Sequence, residues 1–283
     1  MNRLIVTADD FGLAEEVNEA VERAHRTGIL SATSLMVASP GAADAVRRAR
    51  ALPDLRVGLH LVLVEAKPAL PAERVPDLVG ADGHFRSDMA RLGCEIALRP
   101  AVRRQIAAEI AAQFEAFAAT GLPLDHVNAH KHFHLHPVIA AQMMAIGRKF
   151  GARAIRVPIE PPAVVQAVEP SAAALAPRLL GLWARGLRAQ ARRAGMAVPD
   201  AVFGLAWSGA LTRERLLGLL KRLPEGTVEI YAHPATANAF AGHAPGYRYT
   251  EELATLTDPD CVAAVRGSRH RLGGFAELGG PAI

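Results

Sequence analysis

Cysteine is nearly absent. Cys94 and Cys261 are the only two in 283 residues, and they stand far apart. That excludes a disulfide framework and a zinc-finger spacing, and it suits a reducing cytoplasm. Also missing is any apolar run of about 18 residues, the length a membrane-spanning helix requires. The opening stretch MNRLIVTADDFG has no charged-then-apolar leader, so the expectation is a soluble, cytoplasmic protein. The net charge is only +4, and the basic residues do not gather into the face of a nucleic-acid module. Nucleic acid is therefore not expected as a partner. No G-x-G-x-x-G follows the first apolar run, which argues against a dinucleotide fold.

What is present is an ordinary core-forming composition, 51% hydrophobic and 21% charged. Short apolar runs read as strands at 3–8, 29–39, 55–63, 124–130, 152–158, 201–206 and 227–235. Between them lie helical patterns, at 13–28, 41–52, 99–121 and about 137–150, several closed by glycine. Strands alternating with helices imply parallel βαβ units in a sheet buried on both faces. With no evident linker, the pattern predicts an α/β fold: a single distorted (β/α) TIM-like barrel over 1–283, with a helical insertion at about 160–200.

The polar residues worth explaining sit at the C-terminal ends of the predicted strands, where active sites assemble in parallel α/β folds. TADDFG ends the first strand with Asp9 and Asp10. One aspartate could cap the following helix, but two at a buried strand end exceed what capping requires. Neighbouring strand residues face opposite ways, so both can reach one site only if the chain bends there. GLHLVL places His60 in an apolar strand, where a lone histidine is more often packed core than ligand. DHVNAHKHFHLHP carries His126, His130, His132, His134 and His136, five of the eleven histidines. An extended backbone would set the last four on one face. One Asp, His60 and one histidine of the run would make a three-ligand divalent metal set with room for water. EIYAHPA ends another strand at His233, a candidate general acid, while Glu229 and Arg156 are candidates for orienting or binding substrate.

In order and spacing, TADDFG, GLHL, HxxxHxHxH and EIYAHPA resemble the YdjC-like (ChbG-type) carbohydrate deacetylases, from residue 3 to about residue 255 and including YRYTEELATL. The resemblance implies a distorted barrel related to polysaccharide deacetylases and removal of N-acetyl groups from amino sugars with one divalent metal ion. Zinc is the first expectation, with magnesium, nickel or cobalt as alternatives. Carried onto this chain, it makes Asp10, His60 and His130 the metal ligands, Asp9 the general base and His233 the acid. His132, His134 and Arg156 are expected to bind substrate, and His126 and His136 to be structural. The family pattern often has Asp two residues before the first ligand histidine of the run; this chain has Asn128.

Within the family the sequence looks most like the branch associated with hopanoid biosynthesis (the HpnK type), which implies an N-acetylglucosaminyl glycolipid as substrate. Chitooligosaccharides such as chitobiose are the alternative. Segment 171–196 bears on this choice. Helical spacing puts Leu175, Leu179, Leu182, Trp183 and Leu187 on one face and Arg178, Arg185, Arg188 and Arg192 opposite. That pattern fits either a helix lying at the inner face of the membrane or a barrel helix packed on its core. Two readings from other classes compete. One is an amidohydrolase-like hydrolase, which would more naturally carry H-x-H on its first strand, or a metal-dependent phosphatase; the other is a non-enzymatic metal- or sugar-binding protein, which would use the histidine run alone.

Overall fold

The computed structural model describes residues 2–170 and 176–278, with the side chains of 176–180 left aside. The chain alternates strands and helices. β1 (Arg3–Phe11), α1 (Glu15–Thr27), β2 (Ala32–Leu35), α2 (Ala42–Arg50) and β3 (Arg56–Leu61) open it. α3 (Met89–Leu98), α4 (Pro100–Ala119), β4 (Val127–Ala129) and α5 (Pro137–Gly147) follow. Then come α6 (Pro162–Val168), α7 (Ala176–Arg193), β5 (Ala201–Phe203), α8 (Arg213–Leu220) and β6 (Thr227–Ala232). The last elements are α9 (Tyr249–Thr257), α10 (Pro259–Arg266) and β7 (Arg271–Leu272).

The strands pair in parallel, in the order β4-β3-β2-β1-β6-β5, with β7 added beside the start of β1. The stretch predicted as a strand at 152–158 forms only isolated bridges, yet it joins the two edges of the sheet. Val127 N–H donates to Ala154 O and Arg156 N–H to Val127 O on the β4 side. On the other side, Ile155 N–H donates to Ala197 O and Val202 N–H to Ile159 O. The sheet is thereby curled into a distorted α/β barrel, as the alternation predicted. α3 was not anticipated, because a short helix after a long loop gives little periodicity to read.

Alternate residues turn inward and change character along the barrel. At the N-terminal end Ile5, Ala32, Ala154 and Phe275 form a small apolar cluster of their own. Phe275, from the C-terminal segment, closes this end by stacking on His126 at 4.1 Å between ring centres. The fit leaves no room for a side chain at Gly58, where a Cβ would come within 2.5 Å of the His126 ring. One layer higher the inward residues are polar and bonded to one another, and the site is built on them.

α7 differs from the face drawn from its sequence. Leu175 lies outside the described residues, as do the side chains of Arg178 and Leu179. Of the rest, Ala184, Leu187 and Ala191 are buried, whereas Leu182 and Trp183 are 64% and 54% exposed. The core takes the small-residue side of the helix, since alanines let it approach closely, and the two largest apolar side chains face outward. No helix among the described residues is long and apolar enough to cross a membrane.

Candidate metal and catalytic site

β1 continues through both aspartates. Its register against β2 slips between Ala8 and Phe11, a bulge of one residue, and Asp10 takes a left-handed φ of 63°. The bulge supplies the bend that the sequence required, because an extra residue with a left-handed backbone rotates Asp10 onto the face that Asp9 already occupies. Among the described residues the non-glycines with positive φ are Asp10, Glu65, Lys131 and His132, and all four line one cleft. Backbone strain is thus gathered at a single place, a recurrent mark of functional sites.

The cleft, of about 510 Å³, opens at the C-terminal ends of the strands and has Asp9, Asp10, His60, His130, His132 and His233 on its wall. Asp10 Oδ1 lies 3.2 Å from both His60 Nε2 and His130 Nδ1. The three ligand atoms fall within 4.8 Å of one another.

The hydrogen bonds fix the tautomer of His60. Asn128 Nδ2 donates to Asp9 Oδ1 (3.1 Å) and Ser34 Oγ (3.2 Å), which turns Asn128 Oδ1 toward His60. An amide oxygen only accepts, so His60 Nδ1–H is the donor, at 2.7 Å. Nε2 then presents its lone pair to the carboxylate of Asp10, an arrangement that calls for a cation. Burial would lower the His60 imidazole, but Asp9 and Asp10 outweigh it and raise it, so the cation is a second proton or a metal ion. One carboxylate and two imidazoles suit a divalent ion with coordination positions left for water and substrate.

Asp9 is held differently. Arg156 donates from Nη1 to Asp9 Oδ2 (2.5 Å) and from Nη2 to Asp9 Oδ1 (3.0 Å), and Ser34 Oγ–H donates to Oδ1 at 2.7 Å. Burial opposes ionisation, but Arg156 and His60 prevail and hold the carboxyl well below the usual carboxylate range. Asp10 is likewise held low, burial being outweighed by His130 and His60.

The histidine run is neither a strand nor a regular helix. Residues 130–135 form a tight turn in which Lys131 and His132 have φ of 52° and 53°, so the period-two face dissolves. His130 points to Asp10. His132 Nε2 meets Tyr231 Oη at 3.1 Å on the cleft wall. His134, fully buried, donates from Nε2 to Arg156 O at 3.0 Å, and burial drives it down to about 3. His136 Nε2 donates to Gly93 O and His126 bonds Asp125.

Two substrate-binding expectations are corrected here. His134 is enclosed beneath the cleft and serves the backbone at Arg156. The Arg156 side chain is fully buried, with its guanidinium committed to Asp9 and to Glu229 Oε1 (2.6 Å). Its charge acts on Asp9, and the side chain does not line the cleft.

His233 stands beyond the end of β6, with its ring 5.7 Å from that of Tyr231 and 5.0 Å from that of Tyr247. Burial lowers its imidazole, against the pull of Asp10 and Asp9. Tyr247 lies so close over Gly209 (φ 72°) that a Cβ there would meet its ring at 2.2 Å. Sequence reasoning missed Ser34 and Tyr231. Both were available by period two, Ser34 following the inward Ala32 and Tyr231 lying between Glu229 and His233.

Residues 3–267 match the family described as YdjC-like protein. A carbohydrate deacetylase of Geobacillus stearothermophilus is 31% identical over 92% of this chain and 91% of its own length. One of Brevibacillus brevis is 29% identical over 98% of this chain and 100% of its own. A crystal structure from Enterococcus faecalis superposes with a TM-score of 0.74 at 25% identity, covering 98% of this chain and 99% of that one. The matched span takes in the bulged aspartates, the His60 strand, the histidine turn and His233, and the chain belongs to the YdjC-like protein family.

Proposed function

We propose that this protein is a metal-dependent N-deacetylase that hydrolyses the acetamide of an N-acetylglucosaminyl group, releasing acetate and the free amino sugar. The observation that carries the reading is the convergence of Asp10, His60 and His130 in a cleft that also holds Asp9 and His233. The naming of full-length relatives as carbohydrate deacetylases supports it.

Asp10, His60 and His130 would hold the ion, zinc first by donor type, with magnesium, nickel or cobalt as alternatives. A bound divalent ion polarises a carbonyl and makes water a competent nucleophile near neutral pH. Asp9, kept ionised by Arg156, takes the proton of the attacking water. Oδ1 is occupied by Arg156, Ser34 and Asn128, whereas Oδ2 accepts from Arg156 alone, so the remaining lone pair of Oδ2 fixes the direction of transfer. His233 gives a proton to the departing nitrogen. Burial lowers its imidazole, which makes its cation a stronger acid than free imidazolium. His132 and Tyr231, on the wall beside them, offer neutral hydrogen-bonding groups to the sugar. Burial and the Arg156 charge hold His132 well below its usual range, and burial holds the Tyr231 phenol well above its own.

The substrate in this proposal is a hopanoid glycolipid, and chitobiose is the alternative. The structural support lies in α7, which packs against α5 and the 130–135 turn. It turns Leu182 and Trp183 outward beside the exposed Arg185. An apolar pair with a nearby cation, on a helix abutting the turn that carries His130, suits an apolar aglycone or a lipid surface. The test is acetate release from N-acetylglucosaminyl hopanoid and from chitobiose, each with and without a chelator. Chelator-sensitive release from the hopanoid is the expected result. Release from chitobiose alone sinks the lipid assignment, and release from neither sinks the deacetylase.

A further inference from the structure

On the side away from β1, the strand that leads to His233 outruns its neighbour β5. Pairing of β5 with β6 runs only from Ala201↔Val228 to Phe203↔Ile230 and then stops. Arg3 N–H donates to Gly226 O, so even residues of β6 face β1 and the N–H of His233, just past the strand, faces β5, where it has no strand partner; Pro234 beyond it offers no N–H at all. The partner comes from far along the chain. Glu252 on α9, 1% exposed, accepts His233 N–H at Oε2 (2.5 Å) and Leu211 N–H at Oε1 (2.7 Å).

Leu211 ends a stretch whose Leu205, Ala206 and Ser208 line the cleft. The other end of that stretch is pegged by Glu160, which accepts from the N–H groups of Gly204, Leu205 and Ala206. The start of α9 is itself bolted to the cleft rim. Arg248 N–H donates to Gly209 O at 2.7 Å, and Tyr249 Oη accepts from Ala244 N–H at 2.7 Å. A carboxylate in so buried a place is expensive, and burial pushes Glu252 up to about 7 against the two N–H donors. A carbonyl or a water would satisfy a lone N–H at lower cost. What a rigid two-oxygen acceptor adds is a fixed distance between two backbones.

We infer that Glu252 is the positioning residue for His233, its carboxylate fixing the His233 backbone to the cleft wall at Leu211 and so setting the reach of the imidazole toward the leaving nitrogen. The inference rests on the proposed deacetylase reading, in which His233 supplies that proton. It also gives the YRYTEELATL stretch a task, since Tyr247 and Glu252 meet His233 and Tyr249 packs on Tyr247.

The test is a double-mutant cycle on the metal-loaded enzyme with an N-acetylglucosamine substrate that the parent deacetylates, chitobiose first. Glu252→Gln keeps one acceptor and turns an amide N–H against the other donor. It is expected to lower kcat about 10–100-fold, the scale of a misplaced catalytic group, with KM and metal affinity within about threefold. In a His233→Ala background the same substitution is expected to cost less than about threefold, because there is no imidazole left to misplace. Glu252→Asp keeps the charge but is too short to reach both donors, and it serves where the Gln variant does not fold, with the same expected dependence on His233. Equal losses in both backgrounds, or a rise in KM that accounts for the loss, overturn the inference. An inactive parent sinks the deacetylase reading and this inference with it. An active parent with an additive cycle sinks this inference alone.

Discussion

Arg156 joins Asp9 to Glu229 across the barrel interior, 2.5 Å from one carboxylate and 2.6 Å from the other, with its side chain fully buried. Its guanidinium also lies 4.5 Å from the centre of the Tyr231 ring. Replacing it by Met leaves two carboxylates enclosed without a counter-ion. The expected cost is about 3–5 kcal/mol in urea unfolding, together with loss of turnover as Asp9 takes up a proton. A variant as stable as the parent would show that the cluster is not a paired unit.

Asp9 and His130 separate base from ligand. Asp9→Asn is expected to retain metal while losing about 100–10,000-fold in kcat, whereas His130→Ala is expected to lose both metal and turnover. Metal content and acetate release on the same samples check the pair. Near-normal turnover in Asp9→Asn refutes the base assignment.

Metal affinity is expected to fall with pH in a defined direction. Burial would lower His60, but Asp9 and Asp10 raise it, so the metal-free ring holds its second proton above the ordinary imidazole range. An ion must displace that proton. Affinity therefore drops as pH falls through the raised value and levels off above it, by up to about tenfold per pH unit. Titration calorimetry in buffers of different ionisation heat would also show the proton released. A flat profile between pH 5 and pH 8 contradicts the tautomer argument.

Asn128 is chemically specified by its neighbours, as it donates to Asp9 and accepts from His60. Asn128→Asp sets a second carboxylate against Asp9 and removes a donor. Lower stability, by about 1–3 kcal/mol, and weaker activity are expected. Thermal unfolding and kcat at one pH decide this. Unchanged values would mean that the network rearranges around a charge.

At the opposite end of the barrel, Asp125 ties the C-terminal segment down. It accepts from the N–H groups of Phe275 (3.1 Å) and Ala276 (2.8 Å) and bonds the His126 ring at 2.9 Å. Burial would raise its carboxyl, but the ring and the N–H donors hold it below the usual range. A depressed carboxyl stabilises the fold above its unfolded value, about 3.9, and that contribution is lost as pH falls through the lower folded value. Asp125→Asn is accordingly expected to be less stable than the parent at neutral pH, with the gap closing in acid. Denaturation at pH 7 and pH 3 measures it.

The sequence alone determined the alternation of strands and helices, hence the parallel sheet and the edge where polar residues gather. Period two and strand ends suffice for that, and they point to Asp9, Asp10, His60, the histidine run and His233, whereas the choice of His130 within the run comes from the family resemblance. Three matters waited for the tertiary structure. The bulge at Asp10 has no local signature, because it depends on the register against β2. The histidine run read as extended, but two left-handed residues scatter its members. His134 and Arg156, indistinguishable in sequence from groups that face a substrate, lie beneath the site because inward-facing positions differ in depth along the barrel. Residue type and spacing fix what a side chain can do, whereas its distance from the cleft is set by strands that meet only once the sheet has curled.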